Sequence, residues 1–362
     1  MKIIQLIQKP QERGAELFAS LLSEELKKMG HEVILLSLFE GKSKLSFSDR
    51  QIHFQRSLKK RLWDLKGWRR FAELIQNEKP DLIQANAGDT LKFAVASKLI
   101  FGWKAPVVFR NASIISGYIS NPGIRLLNQF LLNQVQGIAS VSRASQVDMN
   151  RIFNLKNPVQ QVIPIGINTE LQKPRISNSK MKELVHIGGF TFEKNHFHLL
   201  DIFEELLQVD GEFHLKLTGD GSLFNQVKNE VLKRSLSEKV DFTGSIKDPF
   251  SVISSNSILL LPSKIEGLPS VILEAMFHKI PVIAYGVGGI PEILKTGETG
   301  WCIPPGDKMR FIQAIQEVSN LDSNTKGRIL ENAFAMVQER FTLEKVTHQF
   351  EEFYQSILHS SR

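Results

Sequence analysis

Short runs of apolar, often β-branched residues alternate with stretches of helical periodicity along the whole chain, and this alternation restricts the fold more than any other feature. The runs fall near Ile3–Ile7, Val33–Leu38, Leu82–Asn86, Val107–Arg110, Gly137–Ser142, Gln161–Ile165, Leu184–Ile187, His214–Thr218, Val240–Thr243, Ile258–Leu261, Pro281–Ala284 and Trp301–Ile303. Continuous apolar strands separated by helices are typical of parallel sheets covered on both faces. The sequence therefore predicts two doubly wound α/β domains, with a ligand at the carboxyl ends of the strands, in a cleft between the domains.

The boundary between the domains is predicted at Asn168–Met181, where Pro174 and a cluster of Ser and Asn interrupt any periodicity. We therefore expect an N-terminal domain over residues 1–167 and a C-terminal domain over 168–341. Thr342 can cap a final helix over 342–362, which we expect to pack back on the N-terminal domain. The length of 362 residues agrees with two domains.

Charge and composition limit the class of protein. Residues 1–170 carry 24 Lys and Arg against 14 Asp and Glu, whereas the remainder carries 21 against 24. The basic half suits an anionic partner, but there is no zinc-finger spacing or RNA-binding signature, so nucleic acid is not predicted. The chain start is too short and polar for a signal peptide, and no apolar run approaches about 18 residues.

A single cysteine, Cys302, lies in the apolar run Trp301–Ile303. It is interpreted as a buried small hydrophobic residue rather than a nucleophile. A lone cysteine fits a reducing compartment. We therefore expect a cytoplasmic protein, either soluble or peripheral at the cytoplasmic face of the membrane.

The stretch from Pro262 to Met276 carries the clearest chemical signal. An apolar strand ends at Pro262, a loop with Gly267 and Pro269 follows, and a helix begins near Ser270. Free backbone N–H groups at such a helix start favour a phosphate. Glu274 lies one turn into this helix among apolar residues, where ligand hydroxyls would satisfy its carboxylate. Local sequence alone leaves open that Glu274 faces solvent or pairs with a basic residue.

Glu266 and Glu274 resemble the E-x(7)-E motif of retaining glycosyltransferase family 4, which has the GT-B fold, and the surrounding string EGLPSVILEAM is close to the family's usual form. Further matches occur in the family's order along nearly the whole chain. They are Arg13–Glu16, Ile163–Asn168, Gly219–Gly221, Phe242–Gly244, Gly288–Glu292 and Thr299–Gly300.

The resemblance implies a role for each matched position. Glu274 would hold the ribose hydroxyls of a nucleotide-sugar, and Glu266 would contact its sugar. Lys194 matches the family lysine that neutralises the leaving diphosphate, a contact that lowers the barrier as charge develops. Gly14 would let the backbone approach the diphosphate, since a side chain there would block it. The backbone that lines the sugar–diphosphate site would be that of Gly267, Leu268, Pro269 and Ser270.

Two departures from the family pattern affect this site. Gly188 and Gly189 stand where the family commonly has Gly-Arg, so the arginine that joins the lysine on the diphosphate is missing. Arg13 or Arg143 is a candidate to supply that charge. The family histidine that follows the fourth strand is also absent, and Arg110 or Asn111 is a candidate to contact the donor or acceptor instead.

His186, His196 and His198 are close in sequence but do not form a paired-ligand helix motif. The family works without a bound divalent ion, so neither a metal nor another cofactor is expected. The nucleotide-sugar, with uridine or guanosine as candidate bases, would be a substrate.

The segment Lys59–Phe71 interleaves cations with Trp and Leu, which suits an anionic membrane surface. The alternative is a solvated helix whose Leu62, Leu65 and Trp68 pack inward.

Taken together, the sequence favours a retaining hexosyltransferase that acts on a glycan or lipid-linked acceptor in the synthesis of a surface polysaccharide or glycolipid. Two alternatives stay open. One is a sugar-nucleotide epimerase or hydrolase of the same fold, and the other is a non-catalytic module that binds a nucleotide-sugar or glycan.

Overall fold

A computed structural model describes residues 1–11, 13–41, 43–57, 59, 63–169 and 182–360. The chain divides into two compact units. The first comprises Met1–Gly166 together with Leu343–Arg362, and the second comprises Ile167–Thr342. Most of the predicted boundary segment, residues 170–181, lies outside the described residues.

The first unit is built on a parallel sheet of seven strands in the order β3-β2-β1-β4-β5-β6-β7. The strands are β1 (Lys2–Ile7), β2 (Glu32–Phe39), β3 (Gln51–Arg56), β4 (Leu82–Ala85), β5 (Val107–Asn111), β6 (Gly137–Ser140) and β7 (Val159–Val162). The helices are α1 (Gly14–Lys28), α2 (Leu65–Glu78), α3 (Gly88–Phe101), α4 (Pro122–Leu132), α5 (Arg143–Ile152) and, from the chain end, α12 (Leu343–Ser360).

The second unit repeats this topology with six parallel strands in the order β10-β9-β8-β11-β12-β13. Its strands are β8 (Lys182–Ile187), β9 (Phe213–Thr218), β10 (Val240–Gly244), β11 (Ile258–Leu261), β12 (Val282–Tyr285) and β13 (Trp301–Ile303). Its helices are α6 (His196–Val209), α7 (Phe224–Lys233), α8 (Ser270–Phe277), α9 (Ile290–Ile293), α10 (Lys308–Asn320) and α11 (Ser323–Arg340). The predicted α/β architecture with two doubly wound parallel sheets is therefore confirmed.

The helix α1 shows how the sequence produces these layers. Its apolar residues recur at helical spacing and are buried on one side, among them Phe18, Leu22 and Leu26. The helix ends before Gly30, whose φ of +88° is the left-handed conformation that a glycine adopts readily at this position.

A closed ring of buried hydrogen bonds fastens α12 to the sheet of the first unit. The Tyr354 hydroxyl donates to Gln84 Oε1 (2.7 Å), Gln84 Nε2 donates to Asn86 Oδ1 (3.0 Å), Asn86 Nδ2 donates to Gln5 Oε1 (2.9 Å), and Gln5 Nε2 donates back to the Tyr354 hydroxyl (3.2 Å). Because these polar groups are buried, each would be costly without its partner. The ring therefore specifies where the end of the chain packs.

Three details differ from the sequence expectations. The edge strand β3 was not predicted, because its His53 and Gln55 are exposed and it lacks a continuous apolar run. The sixth predicted strand, Gln161–Ile165, lies earlier, at Val159–Val162. Cys302 is partly exposed rather than buried, although burial still raises the pKa of its thiol, which disfavours the nucleophilic thiolate.

The described part of the segment Lys59–Phe71 forms the start of α2. Asp64 caps this helix by accepting a hydrogen bond from the Gly67 N–H, and it also pairs with Arg56. Trp68 is buried in the core, as the alternative of an inward-packing helix requires, but Leu65, which that alternative also placed inward, is 51% exposed. Phe71 is buried as well, and Trp63 is 71% exposed. Leu62 lies outside the described residues. Among the helices that the structure describes, none is long and apolar enough to cross a membrane.

Replacing Tyr354 with Phe should lower the free energy of unfolding by about 1–3 kcal/mol, because Gln84 Oε1 and Gln5 Nε2 would each lose a buried partner. Urea titration of the wild type and the variant measures this change. The matched control is Tyr118→Phe, because Tyr118 is about half exposed. Equal urea midpoints for Tyr354→Phe and the wild type would contradict a stabilising role for the ring.

Candidate active site

The loops that follow β8 and β11 meet at the centre of the second unit. These two strands are neighbours at the position where the strand order reverses. Ligands of doubly wound sheets bind in the crevice outside the carboxyl ends of such strands. We call residues 188–195 the β8 loop and residues 262–269 the β11 loop, and both contain residues that the sequence singled out.

An ion pair joins the two loops. Lys194 Nζ of the β8 loop donates to Glu266 Oε1 of the β11 loop at 2.6 Å. The two side chains are only 20% and 10% exposed, so water screens their attraction less than it would screen a surface pair. The structure therefore brings together the two residues that the sequence assigned to catalysis.

Backbone contacts hold the same loops in place. The Lys264 N–H donates to the Glu193 carbonyl (2.7 Å), and Asn195 Nδ2 donates to the Pro262 carbonyl (3.1 Å). The Gly289 N–H, after β12, donates to the Gly267 carbonyl (2.8 Å) and so ties a third loop to the β11 loop. Loops supported in this way can present functional groups in one geometry without a ligand.

The helix α8 begins at the end of the β11 loop. Its N-cap position is Pro269, and no side chain of the described residues caps this end. The first backbone N–H groups of the helix are thus available to an anion, with the positive end of the helix dipole behind them. The role of Gly267, Leu268, Pro269 and Ser270 as a main-chain lining of a ligand site stays a prediction.

Glu274 lies one turn into α8 in a desolvated environment. Burial raises the pKa of its carboxyl to about 7, the Ser270 hydroxyl lowers it, and the charge of Asp248 raises it further. The carboxyl is only partly exposed, and no cation among the described residues pairs with it; exposure to solvent and pairing with a basic residue were the alternatives that local sequence left open. It is an acceptor group in a desolvated position, and its raised pKa places its change of charge near neutral pH.

The two glycines of the β8 loop differ in the space around them. A Cβ at Gly188 would approach Lys194 Cε to 3.3 Å and Cδ to 3.4 Å, so the absence of a side chain lets the lysine stem lie across this position. A Cβ at Gly189 would meet only ordinary contacts, 3.6 Å from the Asp220 carbonyl oxygen. A Cβ at position 189 is therefore tolerated without a clash.

Two buried histidines lie below the β8 loop, and the sequence gave no role to either. Their rings meet edge to face with centroids 4.6 Å apart, and His196 also stacks on Phe190 at 4.1 Å. Burial lowers the pKa of His186 to about 4 and that of His196 to about 2, and the nearby charge of Lys194 lowers both further. Both imidazoles are therefore neutral at physiological pH.

His186 has a defined tautomer. Its Nδ1 lies 2.8 Å from the Leu260 carbonyl, so Nδ1 carries the proton and Nε2 is an acceptor. Nε2 is buried without a hydrogen-bond partner among the described residues, and the same is true of the Ser263 hydroxyl at the end of β11. Unpartnered buried polar atoms are rare and often mark functional sites. The clustering of three histidines within Val185–His198 was the only sequence signal for this feature.

In the first unit, α1 begins at Gly14, and a Cβ at this glycine would meet no heavy atom within 4 Å among the described residues. Arg13, at the N-cap position, is exposed. The approach of a ligand to this helix start is therefore sterically open.

Arg110 and Asn111, at the end of β5, are almost fully buried. The Arg110 guanidinium lies 4.2 Å from the Phe18 ring centroid, and its Nε and NH1 have no hydrogen-bond partner in the described part of the chain. Asn111 Nδ2 donates to the Ser145 carbonyl (3.1 Å) and the Ser140 hydroxyl (3.4 Å), so its amide group supports β6 and α5.

The residues that the structure describes contain no group of three or more His, Cys, Asp or Glu arranged to hold a metal ion. His198 has a hydrogen-bond partner of its own, because its Nε2 lies 2.8 Å from the Tyr285 hydroxyl.

Comparison with known proteins gives a consistent result for both units. The family described as glycosyl transferases group 1 matches residues 168–336, and the family described as Glycosyltransferase Family 4 matches residues 13–171. The chain is 24% identical over 371 residues to the N-acetyl-alpha-D-glucosaminyl L-malate synthase of Bacillus anthracis. The matched region covers 98% of this chain and 96% of the relative. The chain is also 24% identical to the amylovoran biosynthesis glycosyltransferase AmsD of Erwinia amylovora, over 78% of this chain and 80% of the relative.

Solved structures confirm the predicted GT-B fold. The structure of Anabaena HepE in complex with UDP-glucose superposes with a TM-score of 0.84 at 21% identity, covering 98% of this chain and 100% of that one. The sucrose-phosphate synthase of Thermosynechococcus elongatus gives the same TM-score at 18% identity, covering 99% and 100%.

Replacing His196 with Phe should weaken the pH dependence of stability. Because the folded pKa of His196 lies below its ordinary value of 6.5, folding favours the neutral ring. The stabilising contribution is complete above about pH 6.5 and falls by about 1.4 kcal/mol per pH unit as acid protonates the unfolded chain. Urea titrations between pH 7 and 5 should show a shallower slope for the variant, and the matched control is His359→Phe at an exposed position. Parallel slopes for His196→Phe and the wild type would refute the burial of a neutral ring.

Proposed function

This chain belongs to the group 1 glycosyltransferases of family 4, and we propose that it transfers a hexose-type sugar from a nucleotide-sugar, with retention of configuration, to a glycan or lipid-linked acceptor in the synthesis of a surface polysaccharide or glycolipid. The observation that carries the proposal is the Lys194–Glu266 pair beside the open start of α8. It combines a cation, a carboxylate and uncapped main-chain N–H groups beside β8 and β11, where the strand order of the sheet reverses.

A uridine nucleotide is the first choice for the donor. The HepE structures contain UDP-glucose or UDP, and the relatives named above include a glycosyltransferase of amylovoran biosynthesis. Glu274 would accept hydrogen bonds from the ribose hydroxyls. Uridine and guanosine nucleotides both carry these hydroxyls, so this contact selects neither the base nor the sugar of the donor. A GDP-sugar remains the second choice.

The chemistry follows from the charges at the site. The bond between C1 of the sugar and the diphosphate oxygen breaks, and negative charge accumulates on the diphosphate. Lys194 and the first N–H groups of α8 oppose that charge, while Glu266, whose Oε1 is bound to Lys194, keeps Oε2 for the sugar hydroxyls. The acceptor hydroxyl attacks from the same face and passes its proton to a donor phosphate oxygen, so no protein base and no metal ion are required.

The acceptor side is proposed for the first unit. Gly14 and Arg13, at the start of α1, are candidates to contact the diphosphate, and Arg110 is a candidate to contact the acceptor. Asn111 is a weaker candidate, because its amide nitrogen is occupied by Ser140 and Ser145. A peripheral membrane contact through Lys59–Phe71 would depend on Trp63 and Leu65, the exposed apolar residues of its described part.

A panel of labelled UDP- and GDP-sugars, incubated with the protein with and without EDTA, tests the proposal. We expect slow hydrolysis of one donor in the absence of acceptor and no effect of EDTA. An altered sugar still attached to its nucleotide would indicate an epimerase instead. Tight binding without turnover, whatever the acceptor, would indicate a non-catalytic module.

Replacing Lys194 with Ala should lower kcat for the hydrolysed donor by roughly a hundredfold to a thousandfold, because the lysine interacts most strongly with the charge of the leaving group. KM should change much less. Lys233→Ala, an exposed lysine on α7, is the matched control, and it should leave kcat unchanged. A Lys194→Ala enzyme that retains full kcat would remove the lysine from the mechanism.

The affinity for UDP-glucose should rise by up to about tenfold between pH 6 and pH 8, because the Glu274 carboxyl, with a pKa of about 7, becomes a better acceptor when ionised. Calorimetric titration measures this profile, and UDP-glucose is suitable because its diphosphate diester does not titrate in this range. Glu274→Gln should bind more weakly with a flat profile. An unchanged profile in that variant would rule out contact of Glu274 with the ribose.

A further inference from the structure

The helix α4 exposes its apolar residues instead of burying them. Of its eleven residues only Leu131 and Leu132 are buried. Leu127 follows Ile124 by three residues, and Phe130 follows Leu127 by three and Leu126 by four, so the four side chains lie within an arc of about 160° around the helix. We call these four residues the α4 face. Leu126 is 70% exposed and Phe130 is 50% exposed. Beside α4, the helix α3 ends with Leu99 and Ile100, which are also exposed.

Hydrogen bonds fix this outward orientation. On the other side of α4, Arg125, Gln129 and Asn133 follow one another at four-residue spacing. Arg125 Nε donates to the Ile152 carbonyl (3.1 Å), and Gln129 Nε2 donates to the Asn154 carbonyl (2.7 Å) while its Oε1 accepts from the Asn154 N–H (2.8 Å).

The last of the three residues continues the pattern. Asn133 accepts hydrogen bonds from the Lys156 N–H (3.4 Å) and from Asn157 Nδ2 (3.2 Å). The polar side of the helix is thus bound to the segment 152–157. Rotation of the helix to bury its apolar side would break all these bonds.

The chain segment that includes α4 carries charge of one sign. Between Asp89 and Asp148 the sequence contains no Asp or Glu, while it contains six Lys and Arg, at positions 92, 98, 104, 110, 125 and 143. Arg110 is buried, but Lys104 and Arg125 are exposed, and so is Lys156 in the segment bound to α4. An apolar surface on a segment with exposed cations complements a surface that has an apolar interior and anionic groups at its boundary.

We propose that the α4 face docks on an anionic phospholipid surface. Leu126 and Phe130 would insert among the acyl chains, and the exposed cations Lys104, Arg125 and Lys156 would lie at the headgroups. A second copy of the chain fits the same face less well. A symmetric contact would bring the same patch of both copies together, and the cations of one copy would then repel those of the other. A lipid surface supplies the opposite charge instead.

The α4 face lies outside the candidate active site and contains none of its residues. Docking therefore stands independently of the proposed sugar transfer, although a lipid-linked acceptor would give it a purpose. The experiment below measures vesicle binding and donor hydrolysis separately, so each proposal can fail without the other.

The full chain is sedimented with vesicles of phosphatidylcholine alone or of phosphatidylcholine with phosphatidylglycerol. We expect binding only to the anionic vesicles, and we expect added salt to weaken it. The double variant Leu126→Gln, Phe130→Gln should bind them about tenfold or more less tightly, because two apolar side chains no longer leave water. Its urea midpoint and its slow hydrolysis of the donor should equal those of the wild type, and the urea midpoint shows that the variant is folded whether or not the donor is hydrolysed.

Two control variants give the experiment its specificity. Val209→Gln with Leu232→Gln removes equally exposed apolar side chains from the second unit and should leave vesicle binding unchanged. Trp63→Ser with Leu65→Gln tests the segment Lys59–Phe71. The proposal is overturned if the wild type ignores anionic vesicles, if the α4 variant binds them as well as the wild type, or if only the Trp63 and Leu65 variant loses binding. A dimer in light scattering that the α4 variant dissociates, without vesicle binding by the wild type, would identify a second copy as the occupant.

Discussion

The contact between Lys194 and Glu266 unites residues 72 positions apart in sequence, and the arrangement of the second unit's site depends on it. The strand order brings the β8 and β11 loops to the same edge of the sheet, but topology alone leaves side chains free to point away. The ion pair, together with the backbone bonds from Lys264 and Asn195, fixes that orientation before any ligand arrives. Such preorganisation is what electrostatic stabilisation of a leaving group requires.

The β8 loop and the two histidines next to it add little positive charge to this site. Gly189 contributes no cation to the β8 loop, although a Cβ there would meet only ordinary contacts. His186 and His196 could add charge below the loop, but burial holds both rings neutral at physiological pH. Lys194 is therefore the cation of the β8 loop itself. A site with few cations depends more strongly on the main-chain N–H groups at the start of α8, which is consistent with the absence of a side-chain cap from the described residues at that end.

The sequence predicts the layers of this fold well because buried parallel strands are mostly apolar, as β1 and β2 are apart from Gln5 and Ser37 in their interiors. It fails for β3, whose residues alternate between the interior and the solvent at the edge of the sheet. The residue types of the site followed from the motif and the family resemblance. The Lys194–Glu266 contact and the raised pKa of Glu274 could not be predicted, since both depend on packing between segments far apart in sequence.

The orientation of the helix α4 could not be predicted from the sequence either. Its pattern of apolar and polar residues is that of an ordinary amphipathic helix, which normally buries the apolar side. Here the segment 152–157 offers backbone carbonyl and N–H groups that need partners, and Arg125, Gln129 and Asn133 satisfy them. Hydrogen bonding thus decides the orientation of the helix, and the apolar side remains in solvent. Because no acidic residue occurs between Asp89 and Asp148, the segment that presents this exposed surface is charged only positively, and it accounts for part of the excess of cations in the first half of the chain.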